Sequence, residues 1–154
     1  MISDIEQAIR EYLPGVVHLS LATVNSGLPW MCEVHYAYDD RLNLYFVSRS
    51  SRRHSIEIMQ NGIVAGSIVK QYSAKEKVRG VFFEGKAEKI SDINKDHVAY
   101  KVFTERFGVE ESLLEGNNVP DAREFYQITI SKFYLFDSLE SKTGEKYELL
   151  WNNN

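Results

Sequence analysis

Cysteine is almost missing from this 154-residue chain, in which Cys32 stands alone. One thiol cannot close an internal disulfide or complete a cysteine zinc site, and a reducing cytoplasm is the expected compartment. No apolar run approaches the roughly 20 residues that cross a bilayer, so no membrane partner is expected. Positive charge is the minority, with 18 basic against 22 acidic residues and a formal charge of -4. A general nucleic-acid binder would need a broad basic face, so none is expected either. The four histidines, His18, His35, His54 and His97, do not fall in HExxH spacing, which leaves no expected metal site. GxGxxG, GxxxxGK[ST] and GxSxG are absent, which removes the common nucleotide-phosphate loops and the serine hydrolase elbow.

What remains is an ordinary globular composition, 44% hydrophobic and 26% charged, without internal repeats, low-complexity stretches or a linker. A chain of this length buries about 70% of its unfolded surface, so residues 1–154 are read as one domain. Ile2, Ile5, Ile9 and Leu13 at helical spacing before Pro14-Gly15 predict an amphipathic N-terminal helix, not a signal peptide. Strands are predicted over 16–24, with Val17, Leu19, Leu21 and Thr23 on one face, over 28–40, and over 42–48, joined by short turns into an antiparallel meander. A helix near 51–60 ends at Asn61-Gly62, and "IVAGSIVK" follows as a strand whose Ala65 and Gly66 imply close packing. Gly80 and Gly85 mark bends in a long strand over 78–90. Ser91 is read as the cap of a helix reaching Gly108, with Val98, Val102, Phe103 and Phe107 inward, and a last strand runs over 124–136. The predicted class is mainly β: a six-stranded, Greek-key-like antiparallel split barrel with N-terminal and peripheral helices.

One stretch does not suit its position. In "LYFVSRSSRRHSIEIM" a buried strand runs into a helix through Arg49, Arg52, Arg53 and His54, with no acid among them. Cations in a first helical turn cost roughly 0.3 to 1 kcal/mol each against the helix dipole. Pairing with Glu57 and the Asp39-Asp40 turn is one remedy, worth about 0 to 1 kcal/mol per surface pair. A bound anion is the other. Converging guanidinium groups and first-turn N–H groups, under a Ser50 or Ser51 cap, make a phosphate site in which each charge-assisted bond contributes about 1.5 to 3 kcal/mol.

The same residues carry a resemblance. A strand ending in Ser48, a short polar link, Arg53-His54, a helix and an apolar strand together resemble the FMN-binding split barrel of the pyridoxamine-phosphate-oxidase-like superfamily. "GLPWMCEVHYAYDD" and "RGVFFEGKAEKI" are similar to its preceding strand and its long glycine-bearing strand, and "KTGEKYELLW" to the tail of a short bacterial branch. The resemblance implies FMN, with Ser48, Arg53 and His54 on its phosphate, Val47 and Arg52 adjoining, and the backbone of Glu33, Val34 and His35 along the isoalloxazine. It implies a homodimer with cofactor between subunits, acting on a small-molecule substrate. The sequence departs from the pattern at Arg52, where Ser or Thr is usual, and carries no arginine-and-tryptophan substrate arm, so pyridoxamine phosphate oxidation itself is not assigned. No side chain is nominated as the catalytic acid or base. The alternatives are a deazaflavin in place of FMN, or a non-catalytic sensor module holding flavin or haem, the latter with an axial histidine such as His18, His35 or His97. Trp151 is expected at the subunit interface.

Overall fold

Alternation sets the strands, and turn chemistry sets where they end. The computed structural model describes residues 3–108, 114, 121–137 and 145–151. Helix α1 (Asp4–Tyr12) is capped by Ser3, whose hydroxyl accepts from the Glu6 N–H, and a 3-10 turn at Leu13–Gly15 stops it. Its Ile9 and Leu13 are fully buried; Ile2 lies outside the described residues, as do residues 142–144 of the tail motif. Strand β1 (His18–Asn25) buries Leu19, Leu21 and Thr23, while Val17 just before it is exposed. Ser26 and Gly27, both at positive φ (51° and 76°), make the mirror-image turn that suits the right-handed twist of a two-residue hairpin. Strand β2 (Leu28–His35) follows.

There the chain does something the alternation does not announce. Tyr36 is fully buried, with its hydroxyl donating to the Leu13 carbonyl at 3.0 Å, and beyond it the chain leaves the β1 side of the sheet. The short β3 (Ala37–Tyr38) pairs instead with β4 (Leu44–Arg49). Helix α2 (Arg53–Gln60), β5 (Ile63–Ile68), β6 (Arg79–Lys89), α3 (Val98–Phe107), β7 (Arg123–Asp137) and β8 (Tyr147–Leu150) complete the chain.

The sheet runs β2-β1-β5-β6-β7-β4-β3, with every pair antiparallel and β8 added on β7. β4 beside β7 while β5, β6 and β7 follow one another is the Greek-key arrangement. This is the mainly β split barrel that the sequence predicts, with two corrections. Among the described residues there are eight strands instead of six, because the segment 28–40 breaks at Tyr36 and the tail contributes β8. The first three strands are not a simple meander, since β2 and β4 belong to opposite ends of the sheet. β7 spans the split region, pairing with β4, β6 and β8 in turn.

Gly66 and Gly85 are fixed most tightly by contact. A Cβ on Gly66 would lie 2.3 Å from the Phe83 ring, and one on Gly85 2.4 Å from the Thr129 carbonyl oxygen. Gly85 sits at the bulge, where Ser131 is left over between Glu84↔Lys132 and Gly85↔Ile130, while Gly80 pairs regularly with Phe136.

The main core joins Leu19, Leu21, Val34, Phe46, Phe83 and Phe133 inside the barrel, and a smaller one joins Tyr45, Ala99, Tyr100 and Phe125 beneath α3. α3 starts at Val98, not Ser91: His97 is its cap, accepting from the Ala99 N–H at 3.1 Å. Its inner face is accordingly Ala99 and Tyr100, flanked by half-buried Val102 and Phe103, while Val98 is exposed. Near its end Arg106 reaches back to donate to the carbonyls of Tyr36 (3.1 Å), Leu13 (3.2 Å) and Val16 (2.6 Å), with its guanidinium 4.6 Å over the Tyr36 ring. One side chain thus ties α3, the end of α1 and the β2–β3 crossing together. Trp151 packs on its own barrel, edge-on to Phe133 at 5.7 Å and donating to the Arg41 carbonyl at 2.9 Å, and remains half-buried there. No helix among the described residues is long and apolar enough to cross a membrane.

Candidate functional site

Where the two ends of the sheet face each other, β2 and β4 leave a cleft of about 530 Å³. It is lined by Glu33, Val34 and His35 from β2, Val47 and Ser48 from β4, and Arg52 and His54 at the start of α2. Seven of the eight residues singled out in the sequence therefore share one cavity. Phe103, Phe107 and Gly108 from α3 and Arg123 at the start of β7 form the rest of its wall.

The exception is Arg53. Its Nε donates to Glu57 Oε1 at 2.9 Å, one helical turn on, and its guanidinium lies 4.3 Å from the centre of the Trp30 ring. Glu57 is itself 5% exposed, and its other carboxylate oxygen accepts from the Thr23 hydroxyl. Those two hydrogen bonds, Thr23's first, hold the Glu57 carboxyl below its ordinary pKa despite its burial. A buried carboxylate four residues ahead captures the Arg53 side chain, which points along α2 and away from the cleft.

The other cations of the junction divide in the same way. Arg49 Nη1 donates to the Asp121 carbonyl at 3.0 Å and faces its carboxylate at 3.9 Å, while Asp121 Oδ1 accepts from the Ser51 N–H at 3.1 Å. Asp39, the expected partner, is occupied by its own turn, accepting from the N–H groups of Arg41 and Asn43 and from the Tyr45 hydroxyl. Arg52 makes no ion pair or side-chain hydrogen bond with any described residue. Arg52 is also the N-cap of α2, and no side chain caps the first turn, contrary to the expected Ser50 or Ser51. The cleft thus has an available guanidinium beside an uncapped helix start.

His54 is 8% exposed and shares a 2.7 Å hydrogen bond between its Nε2 and Ser48 Oγ. Burial first, and then the Arg52 cation, push its pKa below the ordinary value, with Glu57 partly opposing. The charged imidazolium is thus disfavoured at this position. Also in the lining, His35 stacks on Phe107, ring centres 5.3 Å apart, and Phe107 packs on Phe103 at 4.8 Å. The lining thus combines cationic and hydrogen-bonding groups with flat aromatic ones. Sequence reasoning missed Arg123 and assigned Phe103 and Phe107 only to packing. The i, i+4 phenylalanine pair was a visible signal; Arg123 becomes meaningful only through its register with Arg49 across β4 and β7.

Cys32, beside this wall on β2, is half-buried, and burial together with the carboxylates of Glu33 and Glu57 pushes its thiol up to about 11. At pH 7 the thiolate fraction is then about one in ten thousand. Native protein is expected to react with iodoacetamide about 100-fold more slowly than urea-unfolded protein at the same pH, and equal rates would contradict the assigned environment. No group of three or more His, Cys, Asp or Glu side chains that could hold a metal ion occurs among the described residues.

Comparison with known proteins bears on the same elements. A UPF0306 protein of Photorhabdus laumondii is 28% identical over 104 residues, which is 67% of this chain and 72% of that protein. The fold is similar to ChuZ of Campylobacter jejuni (TM-score 0.73, 13% identity, 95% of this chain and 59% of that one). It is also similar to HutZ, the haem storage protein of Vibrio cholerae (TM-score 0.69, 18% identity, 90% of this chain and all of that one). The family model for pyridoxamine 5'-phosphate oxidase matches residues 5–137, from α1 through the end of β7. The chain belongs to the pyridoxamine 5'-phosphate oxidase family.

Proposed function

We propose that the β2–β4 cleft binds FMN and that the protein is a flavin-dependent oxidoreductase acting on a small molecule as a homodimer. The observation that carries this reading is the polarity of the cleft. Arg52, the Ser48–His54 pair and the open first turn of α2 suit a phosphate, and the His35–Phe107 stack suits a planar ring. The donor set fits a phosphate ester better than a metal, since the Arg52 guanidinium donates to anionic oxygen and has no lone pair to offer a cation. Bound FMN would supply the hydride or electron chemistry. The protein's part is to hold the phosphate through Arg52 and Ser48, to align the ring with the β2 backbone from Glu33 to His35, and to exclude water with Phe103 and Phe107. A homodimer is supported by the exposed apolar side chains of Leu28, Trp30 and Met31 on edge strand β2 and of Ile56 and Met59 on α2.

The test is a titration of the purified full chain with FMN and with riboflavin. FMN is expected to lose fluorescence and raise the melting temperature, and riboflavin to bind at least about tenfold more weakly for want of the phosphate. Unchanged FMN fluorescence and melting would overturn the reading. The likeness to HutZ supports one alternative, haem bound through a cleft histidine such as His35, and a Soret band on haem addition without any FMN response would establish it.

A further inference from the structure

Ser48 and His54 form a pair whose chemistry phosphate binding does not exhaust. Ser48 is the penultimate residue of β4 and His54 the second of α2, and the turn between them brings Ser48 Oγ and His54 Nε2 to 2.7 Å. Both line the cleft of about 530 Å³. Burial, and then the Arg52 charge, disfavours the imidazolium, which keeps a nitrogen lone pair available to take a proton. Among the described residues no carboxylate hydrogen-bonds the imidazole. Glu57, whose charge His54 also feels, gives its two oxygens to Thr23 and Arg53. The pair is therefore a dyad and not a triad. Groups suited to a developing negative charge surround it. The Arg52 guanidinium is in the same lining. The Arg52 N–H is taken by the Arg49 carbonyl and the Ile56 N–H by the Arg52 carbonyl, which leaves the N–H groups of Arg53, His54 and Ser55 as the open start of α2 among the described residues.

We propose that Ser48 is a nucleophile and His54 its general base, and that the cleft hydrolyses small carboxylic esters of aryl alcohols. The aryl group is suited by the rings of His35, Phe103 and Phe107 in the lining. Ser48 Oγ attacks the ester carbonyl carbon while its proton passes to His54 Nε2. The carbonyl oxygen becomes an oxyanion, with the Arg52 guanidinium in the lining to offset its charge. The bond from carbon to the aryl oxygen then breaks, and the alcohol leaves with the proton from His54. Water repeats the sequence on acyl-Ser48: its oxygen bonds to the carbonyl carbon, its proton goes to His54 and on to Ser48 Oγ, and the free acid departs. No oxidant or cofactor takes part, so this activity goes beyond the flavin reading, although an ester and a phosphate would compete for Ser48. The elbow motif absent from the sequence is replaced by a strand end and a helix start.

The experiment follows release of p-nitrophenolate from p-nitrophenyl acetate by the purified full chain. Ser48→Ala is expected to lower kcat/KM at least about 100-fold. His54→Gln, which keeps a hydrogen-bonding group beside Ser48 but no base, is expected to lose as much, whereas a merely structural imidazole would spare the rate. Cys32→Ser removes the one thiol and should leave the rate within about threefold of wild type. A fluorophosphonate gives a second readout that needs no substitution and so stands even where a variant fails to fold. A bond from phosphorus to Ser48 Oγ forms as fluoride and the hydroxyl proton leave, and mass mapping of the digested wild type is expected to find the adduct on Ser48. Hydrolysis by wild type no faster than by Ser48→Ala overturns the proposal, as does His54→Gln at the wild-type rate or an adduct confined to another residue. Because the label is read on Ser48 itself, this result is decided separately from the flavin titration.

Discussion

Arg52→Ala is expected to weaken FMN binding about 10- to 100-fold, the equivalent of one charge-assisted hydrogen bond of about 1.5 to 3 kcal/mol. Riboflavin, which has no phosphate, should change by less than about threefold in the same variant, so the loss is confined to the headgroup. Arg53→Ala is the discriminating partner. The family motif places that arginine on the phosphate, yet here its guanidinium is held between Glu57 and the Trp30 ring, outside the cleft. Its removal is expected to cost less than about threefold in FMN affinity and to be felt mainly as lost stability, since Glu57 is buried and would keep only its Thr23 partner. Fluorescence titration of the two variants decides the matter: an Arg53→Ala protein that loses FMN as severely as Arg52→Ala would return the phosphate to Arg53.

Arg106→Ala is expected to be the most destabilising single substitution proposed here, by about 3 kcal/mol, because three carbonyls lose a donor and the Tyr36 ring loses its cation. For a chain of this size that corresponds to a fall in melting temperature of roughly 6 to 12 °C. Arg106→Lys should recover less than half of it, since an ammonium is a point charge and cannot serve carbonyls on both α1 and the β2–β3 crossing as a planar fork does. Thermal denaturation followed by circular dichroism checks both values. A lysine variant as stable as wild type would mean that charge, and not the fork, matters at this position.

How far the sequence was legible follows from what each residue's neighbours could reveal. Alternation along 16–24 gave Leu19, Leu21 and Thr23 of the buried face of β1, because that signal is local and β1 is paired on both sides, but it also put Val17 there, which lies before the strand and is exposed. The crossing at Tyr36 was not legible, because its cause is a hydrogen bond to Leu13, 23 positions away. β8 was hidden for a similar reason: its four residues are mostly exposed and are ordered by the edge of β7. The start of α3 was misplaced because Ser91 and His97 can both cap, and packing of Ala99 and Tyr100 on Phe125 selected the later one. Seven of the eight residues named from the sequence line one cleft, since they lie in two short stretches, β2 and the β4–α2 junction. Arg53 is the one of the eight that does not line it. The i, i+4 relation to Glu57 was present in the sequence, but that Glu57 is buried, and therefore demands a cation, is known only from the fold.

The fifteen-residue β7 accepts β4, β6 and β8 as neighbours, and it is made after β4 and β6. During synthesis the earlier strands must therefore wait: β4 has only the two-residue β3, and β6 only β5, until residues 123–137 have left the ribosome. Nascent chains stopped before that point would expose Phe46 and Phe83 beside bare strand edges, a combination that invites aggregation and chaperone capture. Closure of the barrel is thus timed by translation of its last long strand.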